Sequence, residues 1–198
     1  MFISILLPYY LRKKIMSYYE CGPKWDRRII EVTPKPKDAI MMTGGIDSYV
    51  LYHLLDNPII FNIKRKDRFD TSDYIKELTG SDVIEVDEET TGNDRFRLGS
   101  HKIMREYDIG HLYTGINHTP PLEYFPEFDS HKKPQRIWRI DHDQFKAPFL
   151  HLYKYHIIDL GLSLGLDLNV TRSCLYDREV NCGKCWQCQE RQWGFDQL

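Results

Sequence analysis

The feature that most constrains the fold is a regular alternation, from Asp38 onward, of short apolar runs and segments with helical spacing. The pattern predicts strands over 39–42, 57–64, 82–87, 111–117 and 135–141. It predicts helices over 47–55, 71–80, 94–108 and 151–166. Because strands that alternate with helices form βαβ units, we expect an α/β fold with a parallel five-stranded sheet and helices on both faces.

The length and composition are those of an ordinary globular domain. The 198 residues are 41% hydrophobic and 13% aromatic, which excludes a disordered protein. We expect an N-terminal extension over 1–37, a main domain over 38–170 and a C-terminal segment over 171–198 packed on that domain. Met16 is an alternative start, and the apolar N-terminus lacks the basic start and the cleavage site of a secretory signal.

The charge and hydropathy of the chain limit the classes of partner. A net charge of −2 provides no global basic field, so nucleic acid is not an expected partner. No apolar run approaches the length of a membrane span, so we expect a cytoplasmic protein without membrane association.

The first predicted strand runs into a stretch that we call the glycine loop, residues 42–48, with the sequence MTGGIDS. Gly44 and Gly45 allow close backbone approaches, and the helix that follows adds its positive N-terminal end, so the loop suits a phosphate. Asp47 beside a phosphate indicates a bridging Mg²⁺. The alternative is a tight turn in which Asp47 or Ser48 is an ordinary helix N-cap.

The last 25 residues hold four of the five cysteines, which we call the cysteine cluster: Cys174, Cys182, Cys185 and Cys188. Two overlapping Cys-x-x-Cys steps bring three sulfurs together, and Gly183 permits the bend between them. Four thiolates suit a structural Zn²⁺, and an iron–sulfur cluster, which uses the same ligands, is the main alternative.

The glycine loop resembles the Ser-Gly-Gly-x-Asp-Ser signature of the PP-loop ATP pyrophosphatases, with Thr43 in place of the usual serine. The resemblance implies the adenine nucleotide alpha hydrolase fold and cleavage of ATP between its α and β phosphates. It assigns nucleotide binding to Met42, Thr43, Gly44, Gly45, Ile46, Asp47 and Ser48. The segment Ala147–Gly161 resembles a later superfamily segment whose lysine matches Lys154, so the implied catalytic pair is Asp47 and Lys154.

Three C-terminal features narrow this resemblance to the 7-cyano-7-deazaguanine synthases. They are the cysteine spacing followed by Glu-Arg, the segment VTRSCLYD around the first cysteine of the cluster, and the segment PLEYFPEF. The last of these implies a substrate contact by Tyr124, Glu127 and Phe128. The implied reaction converts 7-carboxy-7-deazaguanine, ammonia and ATP to the nitrile, AMP and pyrophosphate in queuosine biosynthesis. The resemblance is also consistent with a homodimer.

Two family segments are replaced here, by FNIKRKDRFD after the second strand and TGNDRFRLGS after the third. These positions shape the substrate pocket in the family, so one alternative is a related enzyme that adenylates another nucleobase or a tRNA for thiolation or amidation. A thiolase generally needs redox-active cysteines, and only Cys21 lies outside the cluster. The other alternative is a non-catalytic, zinc-containing protein that binds nucleic acid.

Overall fold

The structure, a computed structural model, describes residues 17–64, 71–87, 93–124, 143–174, 176 and 181–198. The strands are β1 (Ser17–Cys21), β2 (Arg28–Val32), β3 (Ala39–Met41), β4 (Ile59–Ile63), β5 (Val83–Val86), β6 (Leu112–Thr114) and β7 (Phe145–Lys146). The helices are α1 (Ile46–Leu54), α2 (Ser72–Thr79), α3 (Asn93–Glu106), α4 (Lys154–Ser163) and α5 (Trp186–Asp196). No helix in these ranges is both long and apolar enough to cross a membrane.

The predicted parallel five-stranded sheet is confirmed, with the strand order β5-β4-β3-β6-β7. Four of its strands lie where the sequence predicts them. The fifth is Phe145–Lys146, which pairs with β6, whereas the strand predicted over 135–141 falls outside the described residues. Helices cover both faces, which explains why every residue of the central strand β3 is buried.

Alternate residues of the central strands face two different apolar clusters. Ile40 and Ile60 pack with side chains of α1 and α4 in the larger cluster. Met41 and Phe61 pack with Ile103 of α3 in the smaller cluster on the opposite face. The sheet therefore separates two cores, as the α/β class requires.

The chain before the sheet forms an antiparallel hairpin of β1 and β2, an element that the sequence analysis did not predict. Its inward residues Cys21, Ile30 and Val32 are buried in the larger apolar cluster. Several hydrogen bonds join its turn to α4; among them, the Gly22 N–H donates to Asp159 Oδ2 (2.8 Å) and Tyr155 Oη donates to Asp26 Oδ2 (2.6 Å). The hairpin is therefore part of the domain core.

Two helices differ from the sequence expectations at the C-terminal side. The helix predicted over 151–166 is shorter, since α4 begins at Lys154 and ends at Ser163. A further helix, α5, follows it and packs against α4. Close packing is possible because Gly194 has no side chain at the contact.

Candidate functional site

The glycine loop lies at the point where the sheet changes its direction of winding. The chain passes from β3 to β4 on one side and returns to add β6 on the other side of β3. In open parallel sheets, ligands bind at the carboxyl ends of strands in the crevice at such a switch point. The loop that follows β3 and the loop that follows β6 border this crevice.

Gly115, which follows β6, brings these two loops into direct contact. A Cβ at residue 115 would stand 2.9 Å from the carbonyl carbon and from the Cβ of Asp47. The close packing of this loop against the start of α1 therefore requires a glycine at residue 115. This residue is not recognisable from the sequence, because the requirement for glycine depends on a neighbour far away in the chain.

The glycine loop itself holds an open, polar conformation. Gly44 has a positive φ of 77°, and a Cβ there would stand 2.6 Å from the Tyr74 ring, so both the backbone and the packing require glycine. Ser48 Oγ accepts the Thr43 N–H (3.3 Å) and donates to the Gly45 carbonyl (3.2 Å). Met42 and Ile46 are buried, whereas Thr43 is exposed. The loop thus has apolar anchoring residues and a polar rim.

Asn62 of β4 fixes the beginning of this loop. Its Nδ2 donates to the Met42 carbonyl (2.8 Å) and to Thr71 Oγ1 (2.9 Å), and the residue is 5% exposed. Sequence reasoning also missed Asn62, although a polar residue inside an apolar strand is a recognisable signal. The amide satisfies a carbonyl that follows the end of β3 and ties the loop to the neighbouring strand.

Asp47 and Lys154 are brought together across 107 residues of sequence. The Lys154 ammonium lies 2.6 Å from Asp47 Oδ1 and 2.5 Å from Oδ2. The Lys154 side chain is 6% exposed and the Asp47 side chain 24% exposed, so the pair is shielded from water on the lysine side. An ammonium held at the first turn of α1, next to the glycine loop, is well placed to neutralise phosphate charge.

The segment that leads into the cysteine cluster lies against the glycine loop. The Arg172 N–H donates to the Gly44 carbonyl (2.9 Å), and the Tyr74 hydroxyl donates to the Val170 carbonyl. The buried Arg191 of α5 holds the same segment through Thr171 Oγ1 (2.6 Å) and the Leu168 carbonyl (2.8 Å). These contacts join the C-terminal segment to the glycine-loop side of the sheet.

The four cysteines of the cluster meet at one point. Their Sγ atoms all lie within 4.8 Å of one another, and the distance from Cys182 to Cys188 is 3.9 Å. Sulfurs around a tetrahedral zinc ion, with Zn–S bonds of about 2.3 Å, are separated by about 3.8 Å. The geometry fits a four-thiolate metal site, and the Cys182–Cys188 separation is too long for a disulfide.

Backbone amides assist the thiolate form of Cys182. The N–H groups of Lys184 and Cys185 donate to its Sγ at 3.5 and 3.4 Å, and they lower the pKa of Cys182 to about 6. Gly183, at a φ of 71°, makes the turn that aims both N–H groups at the sulfur. Burial raises the pKa of Cys188, so its thiolate requires a cation beside it. The donor set is therefore suited to a metal ion such as zinc.

A cavity of about 680 Å³ lies beside the cysteine cluster. Tyr124 and Trp193 form part of its wall, with ring centroids 5.7 Å apart, and amide side chains of Asn169, Asn181, Gln189 and Gln192 line other parts. Tyr124 thus lies at this cavity, whose lining also includes Arg191 of α5. Glu127 and Phe128, the other predicted substrate residues, lie outside the described residues.

Comparison with known proteins finds a matching family and several similar relatives. The family described as "Queuosine biosynthesis protein QueC" matches residues 102–198. A 7-cyano-7-deazaguanine synthase of Pseudoalteromonas atlantica is 50% identical over 50 residues, which are 25% of this chain and 23% of the relative. One from Leptospira biflexa is 49% identical over 100 residues, covering 42% of this chain and 39% of the relative.

These matches cover only part of the relatives. A third 7-cyano-7-deazaguanine synthase, of Hahella chejuensis, is 45% identical over 53 residues, covering 27% of this chain and 23% of its own length. The matched portion of the chain thus spans between about a quarter and two fifths of these curated relatives.

Proposed function

We propose that this chain, which belongs to the QueC family, converts 7-carboxy-7-deazaguanine to 7-cyano-7-deazaguanine with ATP and ammonia. The observation that carries the proposal is the contact between Lys154 and Asp47 beside the glycine loop. A buried ammonium and a carboxylate at the carboxyl edge of a parallel sheet provide the charges that an ATP-cleaving site needs.

The proposed reaction has three balanced steps. A carboxylate oxygen of the substrate attacks the α-phosphorus of ATP, the bond to the bridging oxygen breaks, and pyrophosphate leaves with the electron pair. Ammonia adds to the carbonyl carbon of the acyl adenylate, AMP leaves, and loss of a proton gives the amide. The amide oxygen then attacks a second ATP in the same way and releases pyrophosphate; cleavage of the C–O bond to AMP and loss of both amide protons leave the nitrile.

The residues of the glycine loop have separate roles in this proposal. Backbone N–H groups around Gly44 and Gly45, with the hydroxyls of Thr43 and Ser48, bind the phosphate oxygens. The Lys154 ammonium neutralises charge that develops on the departing pyrophosphate. Met42 and Ile46, both buried, anchor the loop in the core.

Two metal ions belong to the proposal. Asp47 contributes one carboxylate at the loop, which suits a Mg²⁺ ion whose other ligands are phosphate oxygens and water. That ion would supply charge neutralisation on the triphosphate. Zinc in the cysteine cluster would have a structural role, since four cysteine ligands leave no open coordination position.

In this proposal, 7-carboxy-7-deazaguanine, which accepts the adenylyl group, binds in the cavity that Tyr124 lines. Tyr124 and Trp193 offer flat apolar surfaces and the amide side chains offer hydrogen-bond donors and acceptors, which together suit a planar deazapurine. The same proposal includes substrate contacts by Glu127 and Phe128. The chain can act as a homodimer, as the family resemblance implies.

The environment of Cys21 favours this reaction over sulfur transfer. Cys21 is fully buried, and burial raises its pKa to about 11, so its thiolate is disfavoured at neutral pH. A sulfur-transferring enzyme needs a reactive thiol. The unpaired thiols of the cluster also require a reducing compartment, so we place the protein in the cytoplasm.

The proposed function is tested by incubating the purified chain with ATP, Mg²⁺, ammonium and 7-carboxy-7-deazaguanine, followed by mass spectrometry. We expect the nitrile and two AMP molecules for each nitrile formed. A deazaguanine without the carboxyl group is the matched control and should yield no AMP. An intact acid in a mixture without AMP would overturn the proposed substrate.

A further inference from the structure

Arg172 reaches the glycine loop from the cysteine side of the molecule. Its backbone N–H donates to the Gly44 carbonyl at 2.9 Å, and its carbonyl oxygen would lie 3.7 Å from a Cβ at Gly45. The Tyr74 ring lies against the other side of Gly44 closely enough to exclude a Cβ. The Arg172 backbone and this ring therefore border the loop that the proposed function assigns to phosphate.

The Arg172 guanidinium is stacked on the same ring. Its Cζ lies 4.1 Å from the centroid of the Tyr74 ring. The Tyr74 hydroxyl donates to the Val170 carbonyl, which fixes the ring relative to the segment that carries Arg172. Stacking on an aromatic face holds the guanidinium plane in place while its N–H groups point outward along the edges.

Those N–H groups have no protein acceptor within the described part of the chain. The one hydrogen bond of Arg172 there is made by its backbone N–H, and its guanidinium makes no ion pair with a described carboxylate. By contrast, the nearby Arg191 is buried and uses its guanidinium to bind Thr171 and Leu168. Arg172 is therefore the arginine of this segment whose donors are available to a ligand.

We propose that Arg172 binds the triphosphate of ATP, and the pyrophosphate formed from it, at the rim of the glycine loop. The inference rests on the proposed function and adds a residue to it. A guanidinium offers parallel N–H donors that match two phosphate oxygens, which an ammonium does not. Arg172 and Lys154 then supply two cations from different elements, one from the cysteine segment and one from α4.

The test is isothermal titration calorimetry on the full chain, with pyrophosphate, with α,β-methylene-ATP and with AMP. In Arg172→Gln we expect the affinities for pyrophosphate and for the ATP analogue to fall on the order of tenfold or more. Arg172→Lys should recover part of this loss, because it keeps the charge without the fork geometry. The affinity for AMP should stay unchanged, and Arg105→Gln on the exposed face of α3 is the matched control.

Two variants of Tyr74 test the stacking itself. Tyr74→Phe keeps the ring face and loses only the hydroxyl bond to Val170, so it should keep most of the affinity for pyrophosphate. Tyr74→Leu removes the ring face and should bind pyrophosphate more weakly than Tyr74→Phe does. Circular dichroism and thermal melting establish that each variant is folded. Wild-type affinity for pyrophosphate in a folded Arg172→Gln variant would overturn the inference alone. Failure of the wild type to bind either phosphate ligand would overturn the proposed function as well.

Discussion

Gly194 of α5 lies directly against the aliphatic stem of Lys154 in α4. A Cβ at residue 194 would stand 2.7 Å from Lys154 Cγ and 2.8 Å from Ile158 Cδ1, both shorter than a normal contact. The helix that carries Cys188 of the cysteine cluster is thus packed on the stem of the lysine that contacts Asp47. The position of the Lys154 ammonium depends on this packing as well as on its ion pair.

The first prediction concerns this contact. Gly194→Ala should destabilise the fold by about 1–3 kcal/mol, because overpacking forces α5 away from α4 or turns Lys154 out of its rotamer. The rate of pyrophosphate release from ATP should also fall in this variant. Urea unfolding followed by tryptophan fluorescence measures the first effect. Gln192→Ala, on the exposed face of the same helix, is the control, and equal stability of the two variants would contradict the packing argument.

The second prediction separates the glycine loop from the cysteine cluster. Asp47→Asn keeps the shape of the side chain but removes the charge that faces Lys154, so AMP formation should fall on the order of 100-fold or more. The metal content should remain that of the wild type, because none of the cluster cysteines contacts Asp47. Elemental analysis and an AMP assay on the same preparation check both statements. Loss of metal in this variant would mean that the two sites depend on each other.

The sequence predicts the sheet, the glycine loop and the cysteine cluster because their signals are local. The glycine loop is contiguous, the cysteines are close in sequence, and the central strands are short apolar runs. Long-range contacts carry no such signal. The requirement for glycine at 115 and 194 is set by neighbours that only the folded chain brings near.

Two elements were missed for different physical reasons. The hairpin alternates in burial but not in sequence, because its exposed positions include Tyr18 and Ile29, so only Gly22-Pro23 signals the turn between its strands. The helix α5 has a weak apolar stripe, because it is stabilised by packing on α4 and by its connection to the cysteine cluster. The helical spacing of its apolar residues was therefore not recognisable from the sequence alone.

The third prediction concerns the metal. Cys188→Ser should lose the metal and lower the melting temperature, since Cys188 is buried and a metal bound to the folded state contributes to its stability. Cys21→Ala is the control, because Cys21 lies outside the cluster and should leave the metal content unchanged. Elemental analysis of the wild type should give zinc. Iron with acid-labile sulfide would contradict the zinc assignment.

The fourth prediction concerns the acceptor cavity. Tyr124 is 53% exposed and faces Trp193, so Tyr124→Ala removes one aromatic wall without disturbing the core. The KM for 7-carboxy-7-deazaguanine should rise about fivefold, the equivalent of about 1 kcal/mol of aromatic contact. The KM for ATP should not change. Steady-state kinetics measure both constants, and Tyr176→Ala, with a more exposed tyrosine, is the control. A change confined to the KM for ATP would assign the cavity to the nucleotide instead.

The fifth prediction follows from the protonation state of His156. Its Nδ1 accepts the Tyr153 N–H (3.1 Å) and its Nε2 lies 3.0 Å from the Asp26 carbonyl, so the neutral ring satisfies both partners. Burial lowers the pKa of His156 from 6.5, and the nearby Arg28 lowers it further. Asp26 remains ionised here because the Arg28 hydrogen bond holds its pKa below 3.8.

The sign of the pH effect is set by which state binds the proton. Below about pH 6.5 the unfolded chain protonates this histidine while the folded chain does not, so the free energy of unfolding falls as the pH falls. One such group contributes a slope of up to about 1.4 kcal/mol per pH unit until the folded pKa is reached. His53, whose pKa burial also lowers, adds to the slope in the wild type and in variants of His156 alike.

The measurement is urea unfolding at a series of pH values from about 7.5 to 5.5. His156→Gln removes one titrating group and should reduce the slope in this range, whatever its effect on stability at neutral pH. His53→Gln is the matched control and removes the other contribution independently. The two reductions should add, because the two imidazole rings share no hydrogen-bond or ring partner among the described residues. An unchanged slope in His156→Gln would show that the His156 ring takes up its proton equally in the folded and unfolded chain.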